Sequence, residues 1–346
     1  IYPPIWETLL ERGYSVGIFG SMQSYPPIRH VNTLFYIPDT FSPGPETIPE
    51  EWRTMQEFNL RMTVKNKAYA SKFKLEDLSY IITLLRSPVF MKDVIVKGGI
   101  QIGKELINPK YRTRRQNVQS ELLFASYMSL LEARLPDFTT FFTNHLAAMQ
   151  HRYWIHADNS SKLSCEIQTD NFLRNNINSA LNVVERQLKR IVQFAHKHGY
   201  TLLIAGAIGQ DAIDPVLRRY ALTIPDLSNF IQALGLNPEE YKELSAMHPD
   251  TCVVKEMYDP VDMTVNFTLR ESQDSKDRYF IYRKSVYKRE DMGFEAVVAE
   301  PGTAYHIRDG ILVAYGPHED MFSEYIDSEN RLDTCKVFNG LSKLYR

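Results

Sequence analysis

Residues Thr201–Asp214 read TLLIAGAIGQDAID. The first five are apolar or β-favouring and follow a helical pattern that closes at Gly199, so they predict a buried strand running into a tight turn. In open α/β sheets, the turns at the carboxyl ends of strands are where ligands bind. This turn offers Gly206, Ala207, Ile208 and Gly209, with neither carboxylate nor imidazole. Immediately upstream, SALNVVERQLKRIVQFAHKHGY carries Leu181, Val184, Leu188, Ile191 and Ala195 at three-and-four spacing. His196 and His198 sit in its last turn, where cations suit the helix dipole, and Gly199 suits the stop. A strand in PDFTTFFTNH, this helix and the strand TLLIA together predict a right-handed βαβ unit. The predicted fold class is therefore α/β, with a mixed, mainly parallel sheet sandwiched by helices.

The rest of the chain fits around this unit. The opening IYPPIWETLLERGYSVGIF predicts a short helix begun at Pro3 and Pro4, with an apolar stripe of Ile5, Trp6, Leu9 and Leu10, a stop at Gly13, and a strand. A helix that leads straight into a core strand implies a further strand upstream of Ile1. Residues 21–50 are proline-rich and predict a long ordered loop wrapping the mouth of a pocket or covering a sheet edge. From 51 to 135 the periodicity is helical in EEWRTMQEFNLRM, KLEDLSYIITLLRS and NVQSELLFASYMSLLEARL. This predicts a helical insertion over 51–135 within a core built from 1–50 and 136–346. IPDLSNFIQALGLNPEEYKEL predicts two short helices. TVNFTLRESQDSKDRYFIYRKSVYKRE predicts antiparallel hairpins, and PGTAYHIRDGILVAYGP places His306 just before a last core strand.

Composition bounds the function without choosing it. The chain has 346 residues, 44% of them hydrophobic and 24% charged, which suits a soluble globular protein with a large core. Forty basic against 42 acidic residues leave a net charge of −2, so charge gives no reason to expect nucleic-acid binding. Cys165, Cys252 and Cys335 lie far apart without CxxC spacing, indicating neither a disulfide framework nor a thiolate zinc site, and a reducing, cytoplasmic setting follows. No run reaches the ~18 apolar residues of a membrane span. Oligomeric state is not legible.

Two places carry chemistry. In NPKYRTRRQN, Arg112, Arg114 and Arg115 form a basic loop that either receives an anion or is a solvated turn between helices. After the strand PDFTTFFTNH, His145, His151 and His156 fall within twelve residues, and Asn144, Arg152 and Tyr153 stand beside them as candidate ligand-binding groups. The histidine spacings do not stack imidazoles on one helix face, so they make no metal site on their own. Buried, hydrogen-bonded histidines are the alternative.

The order of these pieces resembles the alkaline phosphatase superfamily, in particular its phosphodiesterase and nucleotide pyrophosphatase branch, over most of the chain outside residues 51–135. The resemblance implies an alkaline phosphatase-like fold and a two-metal site that activates a Ser or Thr nucleophile at the carboxyl edge of the sheet. It aligns the family's Asp-x-x-x-His with AAMQHRYW, which keeps His151 but puts Ala147 in place of the aspartate. It aligns Asp-His-Gly with Ala207, Ile208 and Gly209, which keeps only the glycine, and it matches the late histidine to His306. The nucleophile and first aspartate would lie upstream of Ile1. With these ligands gone, no metal and no other cofactor is expected. What remains implied is a pocket with His151 and His306 as catalytic candidates and Asn144, Arg152 and Tyr153 as ligand-binding candidates. Its ligand would be an anionic or sugar-phosphate small molecule. Two functions follow: a divergent enzyme acting on a phosphorylated or sulfated ester by general acid–base catalysis, or a non-catalytic binding or scaffold module.

Overall fold

The computed structural model describes residues 3–67, 92–157, 170–206, 208–212, 220–223, 279–282, 285–288, 296–299 and 304–345. The protein is mixed α/β, with seven α-helices and a small three-stranded parallel sheet among the described residues. By compactness the chain divides into two units. One comprises Ile1–Ala157, Thr169–Gln210 and His306–Arg346, the other Asp158–Gln168 and Asp211–Tyr305.

The first unit begins as its sequence dictates. Helix α1 (Ile5–Glu11) starts after two prolines, Gly13 adopts φ +86° just past its end, and β1 (Val16–Phe19) follows. Within the proline-rich stretch predicted to be loop, TLFYI forms β2 (Thr33–Ile37), parallel to β1. The intervening dozen or so residues suffice for a parallel crossover. The third strand, β3 (Phe138–Phe141), lies parallel on the other side of β1, giving the order β2-β1-β3. Alternation along the strands sends Phe19, Phe35 and Ile37 to one face and Val16, Ile18 and Tyr36 to the other. Leu9 and Leu10 of α1 cover the second face.

The first face is covered by helices from the stretch 51–135, namely α2 (Arg53–Lys67) and α4 (Arg115–Arg134), with α3 (Lys92–Ile107) between them in sequence. Met55 of α2 and Phe124, Tyr127, Met128 and Leu131 of α4 share one core cluster with the sheet. Tyr127 stacks on Phe141 at a centroid distance of 5.0 Å. Gly17 is required where it stands. A Cβ there would lie 2.3 Å from the Phe35 ring, so the bare backbone is what lets that ring cross β1. The predicted helix over KLEDLSYIITLLRS falls outside the described residues.

Helix α5 (His145–Ala157) packs against the long α6 (Asn171–His198), which Asp170 caps and which ends at Gly199 with φ +70°. The buried residues of α6 match the predicted stripe only in part, at Ala195. They run Asn176, Ala180, Val183, Gln187, Phe194 and Ala195, whereas Leu181 is exposed and Val184, Leu188 and Ile191 flank the buried line. Two of the buried positions are amides with partners. Asn176 accepts from Arg114 Nε (2.8 Å), and Gln187 Nε2 donates to the Ser120 carbonyl (3.2 Å) and hydroxyl (3.0 Å). A pattern read from apolar residues alone misses a face partly held by satisfied polar groups.

The strand after α6, β4 (Leu202–Gly206), also departs from expectation. It is absent from the described three-stranded sheet and pairs antiparallel with β11 (Ile311–Tyr315), Ile204 facing Val313. Among the described residues the predicted βαβ unit is therefore not formed with β3, and β1 pairs in parallel with β2 and with β3. The residues of β4 are half-buried to exposed, unlike β1, which is covered on both faces. β5 (Gly209–Ala212) pairs with β10 (Ala304–Ile307). Gly209 passes so close to the Asp309 carbonyl and Ile307 that a Cβ would sit 2.6 Å from that oxygen. Helix α7 (Thr334–Leu344), capped by Asp333, closes the unit. Tyr345, just beyond it, donates from its hydroxyl to the Asp137 carbonyl.

The described residues of the second unit form antiparallel ladders: β6 (Tyr220–Thr223) with β9 (Ala296–Ala299), and β7 (Tyr279–Tyr282) with β8 (Ser285–Lys288). The latter is the hairpin predicted at YFIYRKSVYK. The two helices predicted from IPDLSNFIQALGLNPEEYKEL lie outside the described residues. Among the described residues no helix is long and apolar enough to cross a membrane.

Candidate functional site

A cavity of about 220 Å³ opens at the carboxyl ends of the three parallel strands. Phe19 and Gly20 reach it from β1, Pro38, Thr40 and Phe41 follow β2, and Phe142 and Thr143 follow β3. This is where the sheet geometry places a ligand, since neighbouring chain segments diverge beyond the strand ends. The first turn of α5 forms one wall through Asn144, His145 and Ala148, with Arg152 a turn further on. Asn144 precedes the helix, and its carbonyl accepts from Ala148 N–H at 3.0 Å, so the amino end of α5 sits at the cavity. α2 and α4 supply the opposite wall with Asn59, Gln116, Gln119, Ser120 and Leu123.

The electrostatic character follows from this lining. Arg152 is its one permanently charged side chain, and no Asp or Glu is among the lining residues. The amino end of α5 adds the partial positive charge of free helical N–H groups. Neutral amides provide most of the polarity, and several are fixed by one another. Gln119 donates to Asn59 (2.8 Å) and Asn59 to Gln56 (3.3 Å). Gln56 in turn donates to the carbonyls of Pro38 (3.2 Å) and Asp39 (3.0 Å), which pins the loop after β2. Gln116 differs, because its Oε1 is buried without a hydrogen-bond partner. A buried acceptor left this way costs about 1–3 kcal/mol.

His145 belongs to the wall. Thr143 Oγ1 lies 2.9 Å from its Nδ1, and its Nε2 lies 3.4 Å from the Ala180 carbonyl. A carbonyl only accepts, so Nε2 carries the proton and Nδ1 accepts from Thr143. Ser120 then donates to Thr143 (2.9 Å), and Gln187 donates to Ser120. Burial holds the ring neutral, pushing its pKa down to about 4 against the weaker opposing pull of the Ala180 carbonyl and Glu121. Of the histidines read from the sequence, His145 is the buried, hydrogen-bonded one. Burial also lowers His156, against the charge of Asp170.

The other proposed residues separate into three places. Asn144 and Arg152 line the cavity. His151 and His306, 155 residues apart in sequence, meet with Nε2 atoms 3.3 Å apart and rings perpendicular at 4.6 Å between centroids. One imidazole donates to the lone pair of the other. Neither histidine is among the residues that line the cavity, although His151 lies between the lining residues Ala148 and Arg152 in the sequence of α5. His306 lies within β10, five residues before β11. Tyr153 is buried with Met149 and Ala180 in an apolar cluster between α5 and α6, and is not among the lining residues. Ala207 lies outside the described residues, while Ile208 beside it is exposed.

The metal implied by the resemblance is not matched by these residues. Tight zinc sites use three or four His, Cys, Asp or Glu ligands. Among the described residues no group of three or more such side chains converges, and His151 with His306 supplies two. The basic loop Arg112–Arg115 serves packing. Arg114 stacks over Phe172 (4.3 Å) and Tyr111 (5.3 Å), and Arg115 grips Glu105 through two hydrogen bonds of 2.8 and 2.6 Å. Sequence reading missed Asn59, Gln116 and Gln119 altogether, since scattered amides on helices carry no motif. No family model, curated protein or solved structure matches the chain.

Proposed function

We propose that the protein binds an anionic small molecule, a phosphorylated or sulfated ester or a sugar phosphate, in the cavity at the carboxyl ends of β1, β2 and β3. The observation that carries this reading is the lining: Arg152 and the amino end of α5 favour an anion, and no carboxylate is among the described lining residues. The amides of Asn59, Gln116 and Gln119 suit hydroxyl groups. Phe41 and Phe142, both exposed at the mouth, offer apolar faces to a sugar ring. In this reading the chain is a divergent member of the alkaline phosphatase superfamily that works without an intact two-metal site, in a reducing compartment such as the cytoplasm. The parallel strand order and the meeting of His151 with His306 support it.

As an enzyme, the imidazole pair would move protons, one ring donating to a leaving oxygen while the other accepts from water. Because these two rings bond to each other and no carboxylate base lines the cavity, a non-catalytic binding module is the second reading. Thermal melts of the parent, Arg152→Met, His151→Ala and His306→Ala, with and without phosphate, sulfate and glucose 6-phosphate, test the binding. The parent should gain stability from an anion, Arg152→Met should lose that gain, and each histidine variant should lose more ligand response than intrinsic stability. No anion effect on the parent, with equal destabilisation of all variants in every buffer, refutes the site. Turnover of an aryl phosphodiester by the parent but not by His151→Ala selects the enzyme, and anion binding without turnover selects the module.

A further inference from the structure

Four side chains at the cavity wall and behind it form a hydrogen-bonded row whose proton positions are fixed from both ends. At one end Gln187 Nε2 donates to the Ser120 carbonyl (3.2 Å) as well as to the Ser120 hydroxyl (3.0 Å). A carbonyl only accepts, so this atom is the amide nitrogen, and the Ser120 hydroxyl oxygen receives its proton. At the other end, the Nε2 of the neutral His145 ring faces the Ala180 carbonyl (3.4 Å) and carries the ring proton, which leaves Nδ1 to accept from Thr143 Oγ1 (2.9 Å). Between the two ends, the Ser120 and Thr143 hydroxyls lie 2.9 Å apart. The Thr143 proton goes to His145, so the Ser120 proton goes to Thr143. Every hydroxyl proton of the row is thus engaged inside the protein. A hydroxyl has one proton and two lone pairs. Thr143 gives its proton to His145, receives Ser120 on one lone pair and is left with the other. Gln187, Ser120 and His145 are buried, whereas Thr143 is the half-buried member of the row and lines the cavity.

We infer that Thr143 selects a ligand with a hydroxyl group close to its anionic group, so that the cavity prefers a polyol or sugar phosphate to a phosphate on a plain alkyl chain. The inference rests on the anion-binding reading of the same cavity. The oxygens of a phosphate dianion or a sulfate are acceptors, and two acceptors facing each other repel. Thr143 therefore turns the anion away, towards Arg152 and the amino end of α5, and keeps beside itself a place that only a donor fills. Because α5 begins at His145, two residues after Thr143, this place adjoins the helix end. The donor then belongs on a carbon near the one that bears the anion. A hydroxyl fits better than an ammonium group, since no Asp or Glu is among the described lining residues to neutralise one and Arg152 would repel it. An acceptor that the right ligand satisfies and the wrong one leaves without a partner is a strong means of discrimination.

Isothermal titration calorimetry of the full chain at about pH 8, where a phosphate monoester is a dianion, tests this with sn-glycerol 3-phosphate and 1-propyl phosphate, which differ only in two hydroxyl groups. The parent should bind glycerol 3-phosphate at least about fivefold more tightly, the effect of an acceptor left without its partner. Thr143→Val, of nearly the same shape, should bring the two affinities to within about twofold of each other, and Thr143→Ser, which keeps the hydroxyl, should retain the difference. Arg152→Met should weaken both ligands alike, which separates the anion contact from the hydroxyl contact. Equal binding of the two ligands by the parent overturns the inference and leaves the anion site standing, a result that needs no variant to fold. A preference that survives in Thr143→Val, with the parent's circular dichroism, overturns it as well. O-Phosphoethanolamine binding more tightly than glycerol 3-phosphate would assign the place to an ammonium group and overturn the hydroxyl. Binding of neither phosphate overturns the anion-binding reading, and this inference with it.

Discussion

Acidification should weaken this protein through His145. In the folded state the ring is buried, its Nδ1 is filled by the Thr143 hydroxyl, and its pKa is pushed down to about 4, against an ordinary value of 6.5. The unfolded chain therefore takes up a proton that the native state refuses. The sign follows: this contribution is intact above pH 6.5, falls as pH drops from 6.5 towards 4, and levels off below 4, where both states are protonated. At about 1.4 kcal/mol per pH unit the full loss is about 3 kcal/mol, of which about 2 kcal/mol is gone by pH 5. A proton on Nδ1 would also confront the Thr143 donor and force that hydroxyl to turn and donate to Ser120 instead. Urea denaturation at a series of pH values, on the parent and on His145→Asn and His145→Gln, isolates the effect, because other carboxylates contribute equally to all three. The parent should lose about 2 kcal/mol more than either variant between pH 8 and pH 5. Parallel pH profiles for parent and variants, or an NMR titration of the His145 ring with a midpoint between 6 and 7, would falsify the argument.

Further changes probe the packing that holds the cavity in place. Gly17→Ala would drive a methyl into the Phe35 ring between β1 and β2. A loss of about 1–3 kcal/mol is expected, partly recovered by Phe35→Leu in the same chain, and an unchanged melting temperature would show that the ring moves aside freely. Gln187→Ala removes the donor to the Ser120 carbonyl and hydroxyl and should cost about 1–3 kcal/mol by denaturant titration. Asp170 caps α6 through Phe172 N–H (2.8 Å) and Leu173 N–H (3.3 Å), and its pairing with Lys110 keeps its carboxyl below the ordinary range. Asp170→Asn keeps a cap acceptor and Asp170→Ala does not, so only the alanine variant should lower the melting temperature markedly. Equal losses in both would mean that the charge, not the cap, matters there.

What the sequence by itself determined is what neighbouring residues decide among themselves. Pro3, Pro4 and Gly13 bound α1, Gly199 ends α6, and the alternating aromatic and β-branched run at 279–288 pairs as a hairpin. Each rests on backbone preferences or side-chain periods that act over a few residues. The site was legible in part on the same terms, since Asn144 and Arg152 follow a predictable strand end. What only the tertiary structure decided depends on partners distant in the chain. TLFYI becomes β2 because β1 is there to pair with it, despite the surrounding prolines. TLLIA pairs with ILVAY antiparallel instead of extending the parallel sheet, and no local pattern distinguishes those two outcomes. Asn176 and Gln187 can be buried on α6 because Arg114 and Ser120 satisfy them, which shifts the buried line away from the most apolar residues. The amides of the cavity come from separate helices, and His151 reaches His306 across 155 residues. Burial of a polar group and choice of a strand partner are settled by what the rest of the chain brings alongside, and that information exists only in three dimensions.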